Sequence, residues 1–248
     1  MKRAIAFALL LTILFTLAAC GKSQTAVNIE PGDNAVSGSP EAVSSEAHAE
    51  TSSASPIPIV TEPPAPTPPT FVIGSVSPEN IYSNAFSGLK FKLPEGWKYA
   101  SNEELSAKMG EGSSVIFSGS ETEKSEYVKS HSVYDLIAGT ESGTPSMAII
   151  FENISAAKVS ADITEEIYLQ SIMSLLAKNE TFKYKHLGSE LVKIAGKDFY
   201  VMYTLIEDYN IYQAYYVKLF GDYMMSITIT DSKENPGSDI IGNFENIG

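Results

Sequence analysis

Three histidines, thirty-one serines and one cysteine are the side chains that could serve this chain as bases, nucleophiles or soft metal ligands. His48, His131 and His186 fall into no HxxxH or HExxH pair, and no D-x-D-x-D-G loop is present, so neither zinc nor calcium has a ligand set. His131 and His186 are expected at the surface. The serines lack a GxSxG elbow. An S-x-x-K pair occurs twice, Ser87 with Lys90 and Ser155 with Lys158. Chance alone yields about two such pairs at this composition, and neither an SDN nor a KTG companion occurs. The carboxylate pairs Glu103/Glu104 and Glu165/Glu166 suit the positive ends of helices and need no catalytic role. A single cysteine allows no internal disulfide and no thiolate cluster. No catalytic residue, cofactor or metal is expected, and the chain reads as a non-enzyme.

One side chain does sit in a context with chemistry of its own. Lys2 and Arg3 precede an apolar run, Ile5–Leu17, broken only by Thr12 and Thr16. The run is shorter than the ~20 residues that span a bilayer, which marks a secretory signal. Its end, Leu17-Ala18-Ala19-Cys20-Gly21, resembles the bacterial lipobox. That resemblance implies a signal peptide at residues 1–19, a diacylglycerol on the Cys20 thiol and Cys20 as the new N-terminus. Two acyl chains hold a protein on a membrane where one chain is marginal. The expected location is the extracytoplasmic face of the bacterial cell membrane, lipid-anchored through Cys20.

Residues 20–70 follow as a linker. Positions 21–70 carry no aromatic residue and nine of the thirteen prolines. Such a segment has too little apolar surface to offset the entropy of ordering and is expected to be disordered. Pro56–Pro69 favours polyproline II and spans roughly 40 Å at about 3.1 Å per residue. It reads as a spacer. The net charge is −13, and Arg3 is the only arginine. Contacts to nucleic acid or anionic lipid need clustered Lys or Arg, so no nucleic-acid partner is expected.

Residues 71–248 read as one globular α+β domain. Ile81–Phe86 and Leu89–Leu93 predict a strand pair turning at Ser87-Gly88. Ser101 with Glu104 predicts a capping box opening a short helix that stops at Gly110. Strands are predicted at Val133–Ala138 and Ser146–Asn153, and the best helix at Thr164–Lys178, capped by Asp162 or Thr164, with Tyr168, Ile172, Leu175 and Leu176 in one stripe. Runs at 182–194, 198–207, 211–220 and 223–230, joined by short turns, predict an antiparallel meander. Pro236-Gly237-Ser238 is expected to open a final helix with Ile240, Ile241, Phe244 and Ile247 on one face. The sum is a largely antiparallel sheet packed with helices, with Trp97 as a core anchor.

The pattern Tyr82-x-Asn84-x-Phe86-x-Gly88-Leu89-x-Phe91-x-Leu93-Pro94-Glu95-Gly96-Trp97, with Ser101–Leu105 after it, resembles the opening of uncharacterised lipoproteins of clostridial type. Ala195-Gly196-Lys197 and Tyr223–Ile229 are similar to later parts of those proteins. They are similar in fold to the PsbP-like group, whose best-known members are a photosystem II extrinsic subunit and a Ran-binding adaptor. The resemblance implies a PsbP-like α/β sandwich that binds a partner, with no catalytic motif and no binding residue to transfer.

The residues that stand out for recognition are aromatic. Phe199–Tyr223 holds seven Tyr and two Phe in 25 residues. Tyr joins broad apolar area to a polar tip, and strands also favour it for packing. Alternation puts Tyr223, Met225, Ile227 and Ile229 on a core face, leaving Met224, Ser226, Thr228 and Thr230 opposite. Tyr212, Tyr216 and Lys218 are expected to share that polar face, joined by Tyr200 and Met202, as a binding surface. A helix packed over the face would instead make Tyr212 and Tyr216 core. The expected function is a membrane-anchored, non-catalytic binding or adaptor domain with an unknown protein or small-molecule partner. The alternatives are an extracytoplasmic enzyme without a recognisable motif, or a structural envelope protein. Cys20→Ala is expected to abolish incorporation of radioactive fatty acid in growing cells; equal labelling of both proteins would refute lipidation at that thiol.

Overall fold

The computed structural model describes residues 70–110, 115–155 and 163–247. The signal segment, Cys20 and the linker up to residue 69 lie outside the described residues. Alternating and apolar runs give eleven strands among the described residues. They are β1 (Ser75–Val76), β2 (Ile81–Asn84), β3 (Leu89–Lys92), β4 (Trp97–Tyr99), β5 (Val133–Thr140), β6 (Ser146–Asn153), β7 (Tyr184–Ile194), β8 (Lys197–Ile206), β9 (Ile211–Phe220), β10 (Tyr223–Asp231) and β11 (Phe244–Asn246). The helices are α1 (Asn102–Met109), α2 (Val115–Ser118), α3 (Glu121–Ser130) and α4 (Glu165–Leu176). The strands form two antiparallel sheets, a small one in the order β1-β2-β3-β11 and a large one in the order β4-β5-β6-β10-β9-β8-β7. The expected α+β class and the meander from β7 to β10 are both present.

The main core lies between the sheets. Tyr82, Leu89 and Phe91 of the small sheet meet Ile149, Phe151, Val201 and Ile227 of the large one, all fully or almost fully buried. Helices cover the other face of the large sheet. Leu105 of α1 packs on Tyr134, Ile137 and Ala148, while Leu169, Ile172 and Leu176 of α4 pack on Met202, Tyr215, Val217 and Met224. Both helix starts follow their sequence signals. Ser101 and Glu104 form the reciprocal capping box, and Thr164 Oγ1 accepts a hydrogen bond from the Ile167 amide at 3.3 Å.

The expected final helix is absent. After a turn at Pro236–Ser238 the chain makes one 3₁₀ turn at Ile241–Asn243 and then pairs as β11 with β3, Phe244 opposite Phe91. Ile240 and Phe244 bury into the main core as that reading required, whereas Ile241 is only partly buried and Ile247 is exposed. Their backbone, however, finds donors and acceptors on the open edge of β3. A helix of so few residues leaves most of its terminal amide groups unpaired, so joining the sheet is the better solution.

A buried carboxylate binds the two sheets and the entering chain together. β5 carries a bulge between Tyr134 and Leu136, and the extra residue is Asp135. Asp135 Oδ2 accepts hydrogen bonds from the Tyr82 hydroxyl and from Asn84 Nδ2 (2.8 Å), and Oδ1 accepts one from the Gly74 amide (2.7 Å). Asn84 Nδ2 also donates to the Val72 carbonyl, and its Oδ1 accepts from the Ser87 amide. A Cβ on Gly74 would lie 2.8 Å from Asp135 Oδ2 and closer still to the Tyr82 ring, so only glycine admits this approach. Phe71 seals the same corner, stacked on Tyr223 with ring centroids 4.8 Å apart and edge-on to Phe86 and Phe151.

Burial raises the Asp135 carboxyl above the usual carboxylate range, against the downward pull of its Tyr82, Gly74 and Asn84 donors. A native value above the unfolded one means that this group stabilises the fold most below its unfolded value. That contribution is lost as the pH climbs through the native value. The stability of wild type relative to Asp135→Asn is therefore expected to grow as pH falls through that window, measured by urea denaturation at a series of pH values. A gap that is flat or grows toward alkaline pH would contradict it. Asp135→Ala, which strips three donors of their acceptor, is expected to cost about 3 kcal/mol or more at neutral pH.

Candidate functional site

Tyr200, Tyr212, Tyr216 and Lys218 do not form the shared face expected of them. The two-residue turn Gly221-Asp222 pairs Phe220 with Tyr223, so Tyr216 stands opposite Ile227, Tyr212 opposite Asp231 and Lys218 opposite Met225. These even-numbered residues of β9 therefore share the inner face with the apolar row of β10, not with Ser226 and Thr228. Tyr216 is 1% exposed in the main core, and its hydroxyl donates to the Pro236 carbonyl at 3.2 Å beneath the Gly237 turn. Burial pushes that hydroxyl up from its ordinary pKa, keeping it a neutral donor. Tyr212 is also buried, and Lys218 Nζ donates to the Asp198 carbonyl. Tyr200 pairs with Val217, which puts it on the opposite, helix-covered face. Tyr216 is interior because it lies in the core between the two sheets, and the Tyr212 hydroxyl donates to Asn210 Oδ1 and Glu234 Oε1.

The odd-numbered residues of β9 and the Ser/Thr row of β10 form a buried polar row beneath the helices. Gln213 Nε2 donates to Thr230 Oγ1 at 3.0 Å, and the Tyr215 hydroxyl donates to Gln213 Oε1 at 2.8 Å. Gln213, Tyr215, Thr228 and Thr230 are all buried, so this face is also not a free surface.

Of the four predicted residues, Tyr200 lines an open concavity. α4 crosses β8 and β9 and reaches β7 only at Tyr184, and a groove of about 720 Å³ runs between the helix and β7–β8. Its floor is Leu169, Met173, Tyr200 and Met202; Glu166, Gln170 and Ser174 of α4 form one wall, and His186 and Ser189 of β7 the other. Glu166, Gln170, Met173 and Ala177 repeat at the helical period, so one flank of α4 faces the groove along its length. The helix is pinned at both sides of its first turn. Glu165 Oε1 accepts from the Leu219 amide at 3.1 Å, and the Tyr168 hydroxyl donates to Glu152 Oε2 at 2.7 Å.

β7 shapes the other wall. A bulge between His186 and Gly188 adds Leu187 to the strand, and Gly188 takes a positive φ of 150° that a side chain would resist. His186 Nε2 lies 3.1 Å from Ser189 Oγ on the groove side. Leu191 pairs with Tyr200, so it continues the apolar floor to the sheet edge, where it is 57% exposed. An apolar floor with hydroxyl, amide, imidazole and carboxylate groups on its rim can hold an elongated molecule with one greasy side and one polar side. Sequence reasoning missed the groove because its lining comes from three separate segments. The exposed leucines of a long strand were the one local signal.

Of the remaining candidates, His48 and Lys158 lie outside the described residues. His131 is exposed and stacked on Tyr127 with centroids 4.2 Å apart. Ser87 is buried and donates to the Asn84 carbonyl, unavailable as a nucleophile. Among the described residues no three His, Cys, Asp or Glu side chains come together as a metal site. None of the described helices is long and apolar enough to cross a membrane.

No protein-family model matches the chain, and no curated protein matches it in sequence. It is similar to the solution structure of cyanobacterial PsbP (CyanoP) from Synechocystis sp. PCC 6803, with 11% identity over 67% of this chain and 91% of that one and a TM-score of 0.41. It is also similar to a crystal structure from Bacteroides thetaiotaomicron VPI-5482, with 12% identity over 71% of this chain and 49% of that one and a TM-score of 0.32. At these levels no site or partner transfers, and the fold class rests on the strands and helices themselves.

The two tyrosines should respond differently to truncation. Tyr216→Ala is expected to lower stability by roughly 3–5 kcal/mol, whereas Tyr200→Ala on the groove floor should cost about 1 kcal/mol. Comparable midpoint shifts in denaturant would contradict this division into core and groove.

Proposed function

We propose that the chain is a membrane-tethered extracytoplasmic lipoprotein whose α+β domain binds a partner, without catalysis, in the groove between α4 and β7–β8. The observation that carries the reading is the groove itself, an apolar trough left open where α4 stops short of the sheet edge. A well-formed concavity with a few convergent polar groups is the usual form of a binding site. Its position favours access, since it is bounded by an exposed helix flank and an edge strand. The net charge of −13 and the Glu166 carboxylate on the rim favour a neutral or basic partner over an acidic one. The lipobox at Cys20 and the proline-rich spacer support display of the domain away from a membrane.

A photo-crosslinking amino acid in place of Tyr200, in the full chain expressed in its own cells, is expected to yield a discrete adduct on irradiation. The same group in place of Lys92 on the small sheet should yield none. Absence of an adduct at position 200, or equal adducts at both, would refute the groove as the binding site.

A further inference from the structure

We propose that the partner is an extended, basic and partly apolar polypeptide segment that adds to the free edge of β7 as a further strand and lays alternate side chains into the groove. This rests on the groove being the binding site and names what fills it. The argument starts from the sheet edges. The two sheets have four edges among the described residues, and three are very short: β1 has two residues, β4 three and β11 three. Brevity is one of the ordinary ways of protecting an edge against pairing with another chain. The fourth edge, β7, runs for eleven residues. At about 3.3 Å per residue that is roughly 36 Å of strand with alternate amide and carbonyl groups directed away from β8.

The bulge at Leu187 interrupts β7 near its start and leaves Gly188–Ile194 in regular register with β8. Seven residues match the length that strand addition uses, in which main-chain hydrogen bonds supply affinity and side-chain pockets supply choice. Within this stretch Ser189 and Leu191 face the groove, because they pair with Met202 and Tyr200. A strand laid outside β7 would continue that face, so every second side chain would extend the row of Leu191 and Tyr200 toward the flank of α4. Leu187 and Leu191, at 44% and 57% exposure, are the apolar residues that such a strand would shield.

Charge selects the kind of peptide. Glu166 stands on the groove side and Glu190 on the opposite face of β7, both exposed, so each face of an added strand meets a carboxylate. Of the two lysines of β7, Lys193 is paired with Asp198 at 2.6 Å, and Lys185 lies before the bulge, outside the seven-residue stretch. A segment with leucine-like side chains toward the groove and a lysine or arginine at its ends complements this edge.

The test uses the full chain in phosphatidylcholine nanodiscs and a fluorescent capped octapeptide of alternating leucine and threonine with a lysine at each end. The peptide is expected to bind to loaded discs and not to empty ones. Leu191→Lys, an exposed change that leaves the core untouched, should weaken binding at least tenfold. The same peptide N-methylated at every internal amide keeps its side chains and loses its donors, and should also bind at least tenfold more weakly. Undiminished binding of the methylated peptide would overturn strand addition. So would displacement of the peptide by laurate with no effect of Leu191→Lys, which would identify the occupant as an amphiphile. Failure of the peptide to bind, alongside a persistent adduct at position 200, would overturn the peptide assignment while leaving the groove as the site. Loss of both would remove the site as well.

Discussion

The Asp135 carboxyl group is the point at which three parts of this domain meet. It sits on a bulge of the large sheet, accepts from a tyrosine and an asparagine of the small sheet, and accepts from the amide of the segment that enters the fold. All three donors are neutral, so the carboxyl group is held by hydrogen bonds alone, and each bond is strengthened by the low dielectric around it. The same low dielectric makes any missing partner costly, which constrains Tyr82, Asn84 and Gly74 together. Asn84 is a second hub, with both amide protons and its carbonyl oxygen engaged. The small sheet has only short strands and could not hold its place by ladder bonds alone. Its packing through Tyr82, Leu89 and Phe91 supplies area, and the Asp135 network supplies a single allowed position.

With the small sheet placed, much of the inner face of the large sheet is closed, and the groove lies on the helix side. α4 closes most of the helix side by burying Leu169, Ile172 and Leu176. It crosses β8 and β9, and the sheet is one strand wider than the helix can cover. The groove is thus a consequence of width. A seven-stranded sheet with one long helix on that part of its face leaves most of its last strand bare. Tyr200 and Met202 become floor because they lie where the helix ends its coverage, while Tyr215 and Val217, one strand further in, are sealed.

The long bare edge of β7 is an association hazard that folds ordinarily suppress. Here it carries partial guards: a bulge at Leu187, a glycine at 188 in a conformation few residues accept, and charges at Lys185, Glu190 and Lys193. Those guards shorten the pairing stretch without removing it, and they leave two leucines exposed. A surface that is both open to pairing and restricted in length and charge is suited to selective recognition more than to indiscriminate aggregation.

Much of the architecture was legible in the sequence because its signals are local. Strand alternation from Lys197 to Thr230, the turns at Ala195-Gly196 and Gly221-Asp222, and the capping residues Ser101 and Thr164 each depend on neighbours within a few positions. Even the misplaced tyrosine face was decidable. A two-residue turn between Phe220 and Tyr223 sets even positions of β9 against odd positions of β10, so Tyr212 and Tyr216 had to join the core row already assigned to Tyr223, Ile227 and Ile229. Three things were decided only by tertiary structure. Asp135 reads in sequence as an ordinary polar residue of a strand, and its burial depends on partners 51 to 61 positions away. The last segment carries a helical spacing of apolar residues yet becomes β11, because the open edge of β3 offered its backbone better partners than a short helix could. The groove joins residues near 170, 188 and 200 that no local period connects, since its existence depends on how far α4 reaches across a sheet whose width is itself a product of long-range pairing.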